Sequence, residues 1–227
     1  MRPPNWTRAV QVEPSIYAAD FKSLGAQLDS LLDTGATAFH FDVGDGQFIP
    51  EITIGPVVLE SIAELVHDRG GVFDCHMMVA HPVRHFEQIR AAGGDSVTFH
   101  LEADDEPAEA ISAARELGLG VGVAINPETA VEAVLAAAEG VDFVLCMSIH
   151  PGLSGQQFMP GALDRIADLR RRLPGDVSIQ VDGGVHLDTV PAVRQAGANL
   201  LIAGSGVFWG GDPAAAYREL VEAATEV

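Results

Sequence analysis

Two rhythms of apolar and polar positions alternate along this chain. Short runs with side chains of opposite character on successive residues, or with nearly continuous apolar residues, read as strands, and longer segments with apolar residues three and four apart read as helices. The strand rhythm falls on residues 10–16, 36–42, 72–78, 95–100, 119–125, 141–147, 177–182 and 199–203. The helical rhythm fills the gaps at 20–33, 56–69, 82–92, 105–117, 129–138, 161–173, 188–196 and 212–225. Glycine in "TGA", "AGG", "LGLG", "AEG" and "AGA" marks helix ends, where a left-handed residue belongs. Pro56, Pro82, Pro107 and Pro213 fall near helix starts, where the missing N–H costs nothing.

Eight strand–helix units in 227 residues predict a single (β/α)8 TIM barrel spanning 1–227. An open doubly wound sheet is the competing arrangement. Its dinucleotide-binding form is disfavoured because no G-x-G-x-x-G follows the first strand. A barrel gathers functional side chains at the C-terminal ends of its strands. Those ends here read Ser15, His40 and Asp42, His76 and Met78, His100, Asn126, Met147 and Ser148, Asp182, Gly204 and Ser205. Alternation places His40 and Asp42 on one face of their strand and Phe39 and Phe41 on the other. In the same way Asp74, His76 and Met78 oppose Phe73, Cys75 and Met77, and Ser178, Gln180 and Asp182 oppose Val177, Ile179 and Val181. Strands buried on both faces carry few polar residues unless these are paired or functional.

Three groups of residues carry candidate chemistry. His40, Asp42, His76 and Asp182 offer two imidazoles and two carboxylates at one barrel mouth, a set suited to a divalent ion such as zinc. A buried hydrogen-bonded network is the alternative for the same residues. Three glycine-bearing loops, "HPGLSGQQF" at 150–158, "DGGV" at 182–185 and "AGSGVF" at 203–208, come late in the chain. Loops after the last two strands of this fold commonly hold phosphate on backbone N–H groups, and plain turn chemistry is the alternative. Met78 and Met147 read as core filling or as an apolar cover over a reactive anion. His67, His81, His85 and His186 read as surface or capping residues, while His100 and His150 stay open.

Composition narrows the picture. A formal net charge of -19 disfavours nucleic acid and anionic membrane surfaces, so an anionic ligand must be held by local donors. No apolar run is long enough to span a membrane, and "MRPPNWTRAVQVEP" lacks the apolar segment of a signal peptide, which predicts a cytoplasmic protein. Cys75 and Cys146 read as small buried hydrophobes. Lys22 is the only lysine and sits early in a surface helix, which disfavours Schiff-base chemistry.

Laid out in this order, the segments resemble ribulose-phosphate 3-epimerases. The resemblance runs through "EPSIYAADF", "FHFDVGDGQFIPEITIGP", "DCHMMVAHP", "VTFHLEA", "GVAINPET", "VLCMSIHPGLSGQQF", "QVDGGV" and "AGSGVF". It implies one divalent ion per subunit on His40, Asp42, His76 and Asp182, zinc first, with iron, manganese or cobalt as alternatives. It implies Asp42 and Asp182 as the acid/base pair for 3-epimerisation of D-ribulose 5-phosphate through a metal-stabilised enediolate. Ser15, His76, Met78, Met147, Gly152 and Asp182 then look like substrate contacts, and Gly155, Gly183, Gly184, Gly204 and Ser205 like the phosphate cradle. A homo-oligomer, dimer or hexamer, is implied as well.

The pattern departs from that family at Gly44 and Gln47, where methionine and histidine are usual, at Tyr17 and Ala18, at His150, Leu153 and Ser154, and at His186 in place of asparagine. Gly44 suggests extra room, so another ketose phosphate such as D-allulose 6-phosphate, or a specialised pathway sugar phosphate, is the alternative substrate. The related phosphate-binding lyases need an Asp-x-Lys-x-x-Asp array, which a chain with Lys22 alone cannot build. A non-catalytic sugar-phosphate binder would have no use for two opposed carboxylates.

Overall fold

The structure, a computed structural model, describes residues 5–226. Eight strands form one parallel sheet: β1 (Gln11–Pro14), β2 (Ala38–Gly44), β3 (Val72–Met78), β4 (Ser96–His100), β5 (Gly120–Ile125), β6 (Phe143–Met147), β7 (Ser178–Asp182) and β8 (Leu200–Ala203). Neighbours follow chain order from β2 through β8, and β1 pairs with β8. The last seam, β1 against β2, is closed by the single bridge Ser15–His40. The result is the (β/α)8 barrel that the alternating rhythm predicts.

Outside the sheet lie α1 (Leu24–Asp33), α2 (Pro56–His67), α3 (Val83–Ala91), α4 (Pro107–Glu116), α5 (Val131–Ala137), α6 (Gly161–Arg172), α7 (Val190–Ala196), α8 (Ser205–Phe208) and α9 (Pro213–Thr225). Each buries one stripe. In α2 the stripe is Leu59, Ile62, Ala63 and Val66, the three-and-four spacing of an amphipathic helix. Pro56, Pro107 and Pro213 occupy first-turn positions. At α9 the Asp212 carboxylate also accepts the N–H groups of Ala214 and Ala215, at 3.0 and 3.2 Å. Gly197 ends α7 with φ of 111°, the left-handed cap its position predicts. No helix among the described residues is long and apolar enough to cross a membrane.

Three of the differences from the sequence reading have a local cause. The first helix begins at Leu24 rather than residue 20, because the Asp20 carboxylate accepts the Lys22 N–H at 3.1 Å and holds 20–23 as a turn. Strand β2 runs to Gly44, since its ladder with β3 continues to the pair Gly44–Met78. After β8, residues read as loop wind into the short helix α8.

The barrel wall separates two cores. Phe39, Phe41, Phe73 and Phe99 are fully buried between sheet and helices. Cys75 and Cys146 lie in the same outer layer as free thiols, both pushed up by burial, Cys146 to about 11. Inside the barrel, β5, β6 and β8 contribute an apolar half of Ala124, Leu145, Met147 and Ile202. The other half is polar and equally buried: Glu13, His40, Asp42, Asp74, His76, Thr98, His100 and Gln180. That division places ionisable groups directly beneath one side of the barrel mouth.

Candidate active site

His40 and Asp42 lie two residues apart on β2, so both point inward, and they meet His76 from β3 and Asp182 from β7. Each of the four offers a donor atom, and all these atoms lie within 4.8 Å of one another. His76 Nδ1 is 3.1 Å from Asp42 Oδ1 and 3.9 Å from Asp182 Oδ2. His40 Nε2 is 3.3 Å from the same Asp42 oxygen, yet this nitrogen is buried without a hydrogen-bond partner. Two ring nitrogens converging on one carboxylate oxygen, one of them an orphan, fit a site for a cation. The donor set, two imidazoles and two carboxylates, suits a borderline divalent ion. His40 is turned to present Nε2 because its Nδ1 lies 3.2 Å from Asp74 Oδ2, as a carboxylate behind a metal-binding histidine does.

Asp74 is the centre of a buried network that the sequence placed on the inner face but gave no role. It accepts from Ser96 Oγ at 2.7 Å, Thr98 Oγ1 at 3.1 Å and Gln180 Nε2 at 2.9 Å. Gln180 Nε2 also reaches Glu13 Oε2 at 2.6 Å. Burial, reinforced by the Asp74 charge, pushes Glu13 up to about 8. Glu13 is therefore protonated near neutrality in the folded chain but ionised in the unfolded one. The stability carried by that proton is complete below about pH 4.5 and is lost as pH rises towards about 8. Glu13→Gln keeps the shape without the proton. Its stability relative to wild type is expected to rise across this window by roughly 2–4 kcal/mol. Urea unfolding at pH 5, 6.5 and 8 measures this, and parallel pH profiles for the two proteins would show Glu13 to be charged.

The two candidate acid/base groups are driven in opposite directions. Burial would raise Asp42, but His40 and His76 outweigh it and hold its carboxyl well below the usual range. Burial pushes Asp182 up, and the Asp42 charge adds to this, bringing it to about 7. One carboxylate held ionised beside another poised near neutrality is the pattern of an acid/base pair. Ser15 Oγ donates to Asp42 Oδ2 at 2.6 Å and fixes its orientation. The backbone carbonyl of Asp182 accepts the Ser148 N–H at 2.8 Å, which fixes the end of β7.

Above these groups lies an open cavity. Ser15, Asp42, Met78, Met147 and Asp182 form its floor and apolar side. Gly152, Gly155, Gly183, Gly184, Gly204 and Ser205 line it too. The structure thus brings together every residue proposed from the sequence for metal, acid/base or substrate contact, with His40 and His76 fully buried beneath the cavity. Ile149 lines it as well, without having been singled out, and so does Tyr17, read from the sequence as a departure from the family pattern. Among the described residues no lysine or arginine does.

The sequence profile of the Ribulose-phosphate 3 epimerase family matches residues 11–208. The chain belongs to the ribulose-phosphate 3-epimerase family. It is accordingly an epimerase, a class of isomerase. It is 40% identical over 203 residues to the ribulose-phosphate 3-epimerase of Schizosaccharomyces pombe, covering 89% of each chain. It is 37% identical over 215 residues to that of Bacillus subtilis, covering 93% of this chain and 98% of the relative. Among solved structures, 3-hexulose-6-phosphate synthase from Salmonella typhimurium superposes with a TM-score of 0.74 at 18% identity, covering 95% of this chain and 99% of that one, a likeness of fold.

Positions where this member departs from the ribulose-phosphate 3-epimerase pattern can now be located. Gly44 does not open the pocket, contrary to the sequence reading. A Cβ there would stand 2.6 Å from Ile49 Cδ1, 3.0 Å from the Glu51 carbonyl and 3.1 Å from Thr53 Cγ2. The segment 49–53 fills the space, and Thr53 ties it down by accepting the Gly44 N–H at 2.6 Å and donating to the Asp42 carbonyl at 2.7 Å. Asp45 is a turn residue, accepting the N–H groups of Gln47, Phe48 and Ala80. His150 points to solvent and pairs with Glu128 at 2.6 Å, outside the cavity lining. His186 Nε2 lies 3.2 Å from Ser205 Oγ, next to the glycine wall. Leu153 and Ser154 do line the cavity, as does Tyr17, so the departures that touch substrate space sit in the loop after β6 and just after β1.

Proposed function

We propose that this chain interconverts D-ribulose 5-phosphate and D-xylulose 5-phosphate by exchanging the proton on carbon 3. The observation that carries the reading is the pair Asp42 and Asp182, from different strands, with opposed proton affinities at the floor of one cavity. Removing a proton next to a carbonyl gives an enediolate with charge on oxygen. One carboxylate takes the proton and the other returns one to the opposite face. His40, Asp42, His76 and Asp182 would hold a divalent ion, zinc first, which would supply positive charge near those oxygens. Ser15 holds Asp42 in place, and Met78 and Met147 keep water from the reacting carbon. With no cationic side chain among the described residues of the lining, the phosphate falls to backbone N–H groups and hydroxyls around Gly184, Gly204 and Ser205. A cytoplasmic homo-oligomer completes the reading, in keeping with two buried, unpaired thiols.

Turnover of D-ribulose 5-phosphate and D-allulose 6-phosphate, each with and without chelator, tests this. Faster conversion of the pentulose, lost on chelation and restored by a divalent ion, is the expected result. Preference for the hexulose would replace the substrate, and turnover indifferent to chelation would remove the metal.

A further inference from the structure

Behind His76 runs a line of hydrogen-bonding groups that the reaction, as derived above, leaves unused. His76 Nε2 lies 2.8 Å from His100 Nε2, with the two rings stacked at a centroid distance of 5.0 Å. His100 Nδ1 lies 3.3 Å from Glu102 Oε2. Glu102 is anchored in turn: its Oε1 accepts the Asn126 N–H at 2.9 Å and the Thr129 hydroxyl. Both histidine side chains are fully buried, and Phe48 packs on the His100 ring with centroids 4.8 Å apart.

We propose that His100 and Glu102 are positioning residues, a two-step relay that fixes the tautomer His76 needs to present Nδ1 to a cation. This rests on the metal reading given under Proposed function. A neutral imidazole has one N–H and one lone pair. If Nδ1 of His76 is to face a cation beside Asp42 and Asp182, its proton must sit on Nε2. That proton has one neighbour, His100 Nε2, which must accept it. The His100 proton is then on Nδ1, where an ionised Glu102 accepts it. Glu102 is held ionised: burial alone would raise it, but His100, Thr129 and the Asn126 N–H lower it to about 2. The reverse tautomer would set the lone pair of His100 Nδ1 against that carboxylate. Thus a carboxylate two side chains away selects the ligand atom, much as Asp74 does directly for His40.

The test is Co(II) affinity of the chelator-stripped full-length protein, measured by competition with a chelating dye, for wild type, His100→Leu, His100→Gln and Glu102→Ala. Loss of an outer partner of this kind weakens metal binding by about 10–100-fold. His100→Leu is expected in that range and Glu102→Ala towards its lower end. His100→Gln, which can still offer an oxygen to His76 Nε2–H, is expected close to wild type. Equal weakening in His100→Leu and His100→Gln, or none in His100→Leu, would overturn the relay. Should His100→Leu fail to fold, two-bond 1H–15N spectra of the zinc-loaded wild type decide the matter: a neutral His100 protonated on Nδ1 supports the relay, and one protonated on Nε2 overturns it. A wild type that binds no metal would instead overturn the metal reading itself, and the relay with it.

Discussion

Asp42→Asn and Asp182→Asn are each expected to slow epimerisation by about 10²–10⁴-fold, the usual worth of a positioned general acid or base. Asparagine keeps the volume of aspartate and can still accept from Ser15, so the barrel floor survives while the proton acceptor is removed. The two variants should differ in a second respect. Asp42 faces both imidazoles, at 3.3 and 3.1 Å, whereas Asp182 reaches His76 only at 3.9 Å. Metal content is therefore expected to fall further in Asp42→Asn. Epimerisation run in deuterated water, read as deuterium at carbon 3 with metal content measured in parallel, separates the two effects. Near-normal incorporation in both variants would sink the assignment of this pair.

The second large effect is expected at the glycine wall. Gly184 has φ of 62°, and a Cβ there would stand 2.5 Å from the backbone nitrogen of Phe158 and 2.8 Å from its Cα. Backbone atoms cannot rotate aside as a side-chain tip can, so Gly184→Ala must displace either its own turn or the loop after β6. A hydrogen bond to a charged group is worth about 1.5–3 kcal/mol, so misplacing one N–H aimed at the phosphate raises KM by roughly 10–100-fold. The rate at saturating substrate should change less, because Asp42 lies on β2 and Asp182, though two residues from Gly184, is held in the ladder of β7 opposite Met147 and Ile202. Steady-state kinetics with inorganic phosphate as competitor measures this. Unchanged KM and unchanged phosphate inhibition would move the phosphate elsewhere in the cavity.

The two rhythms of the chain made all eight strands legible, because strands buried on both faces and helices buried on one leave different spacings. His40, Asp42, His76 and Asp182 were legible for a related reason: polar side chains on the inner face of a buried strand are conspicuous. What stayed hidden depends on contacts between segments distant in sequence. Glu13 and Gln180 meet although 167 positions apart, and nothing local announces this. Glu102 belongs to a loop, where a carboxylate reads as solvent-facing; only the fold brings it to Asn126 and Thr129, more than twenty residues on, which anchor it beside His100. Gly44 misled because a small residue implies space, while Ile49, five residues on, folds back to occupy it. The turn at α8 follows a strand too closely, and is too short, for periodicity to register.

The seam between β1 and β2 has a kinetic consequence. Seven neighbouring pairs of strands are held by ladders, but this one by the single bridge Ser15–His40. Transient openings follow the least expensive boundary, and here that boundary runs through the residues that orient Asp42. Each parting of the seam releases Ser15 from Asp42 and lifts the lid of the polar half-core, while the remaining strands stay in register. On heating, catalytic competence is therefore expected to decline ahead of the cooperative melting of the barrel.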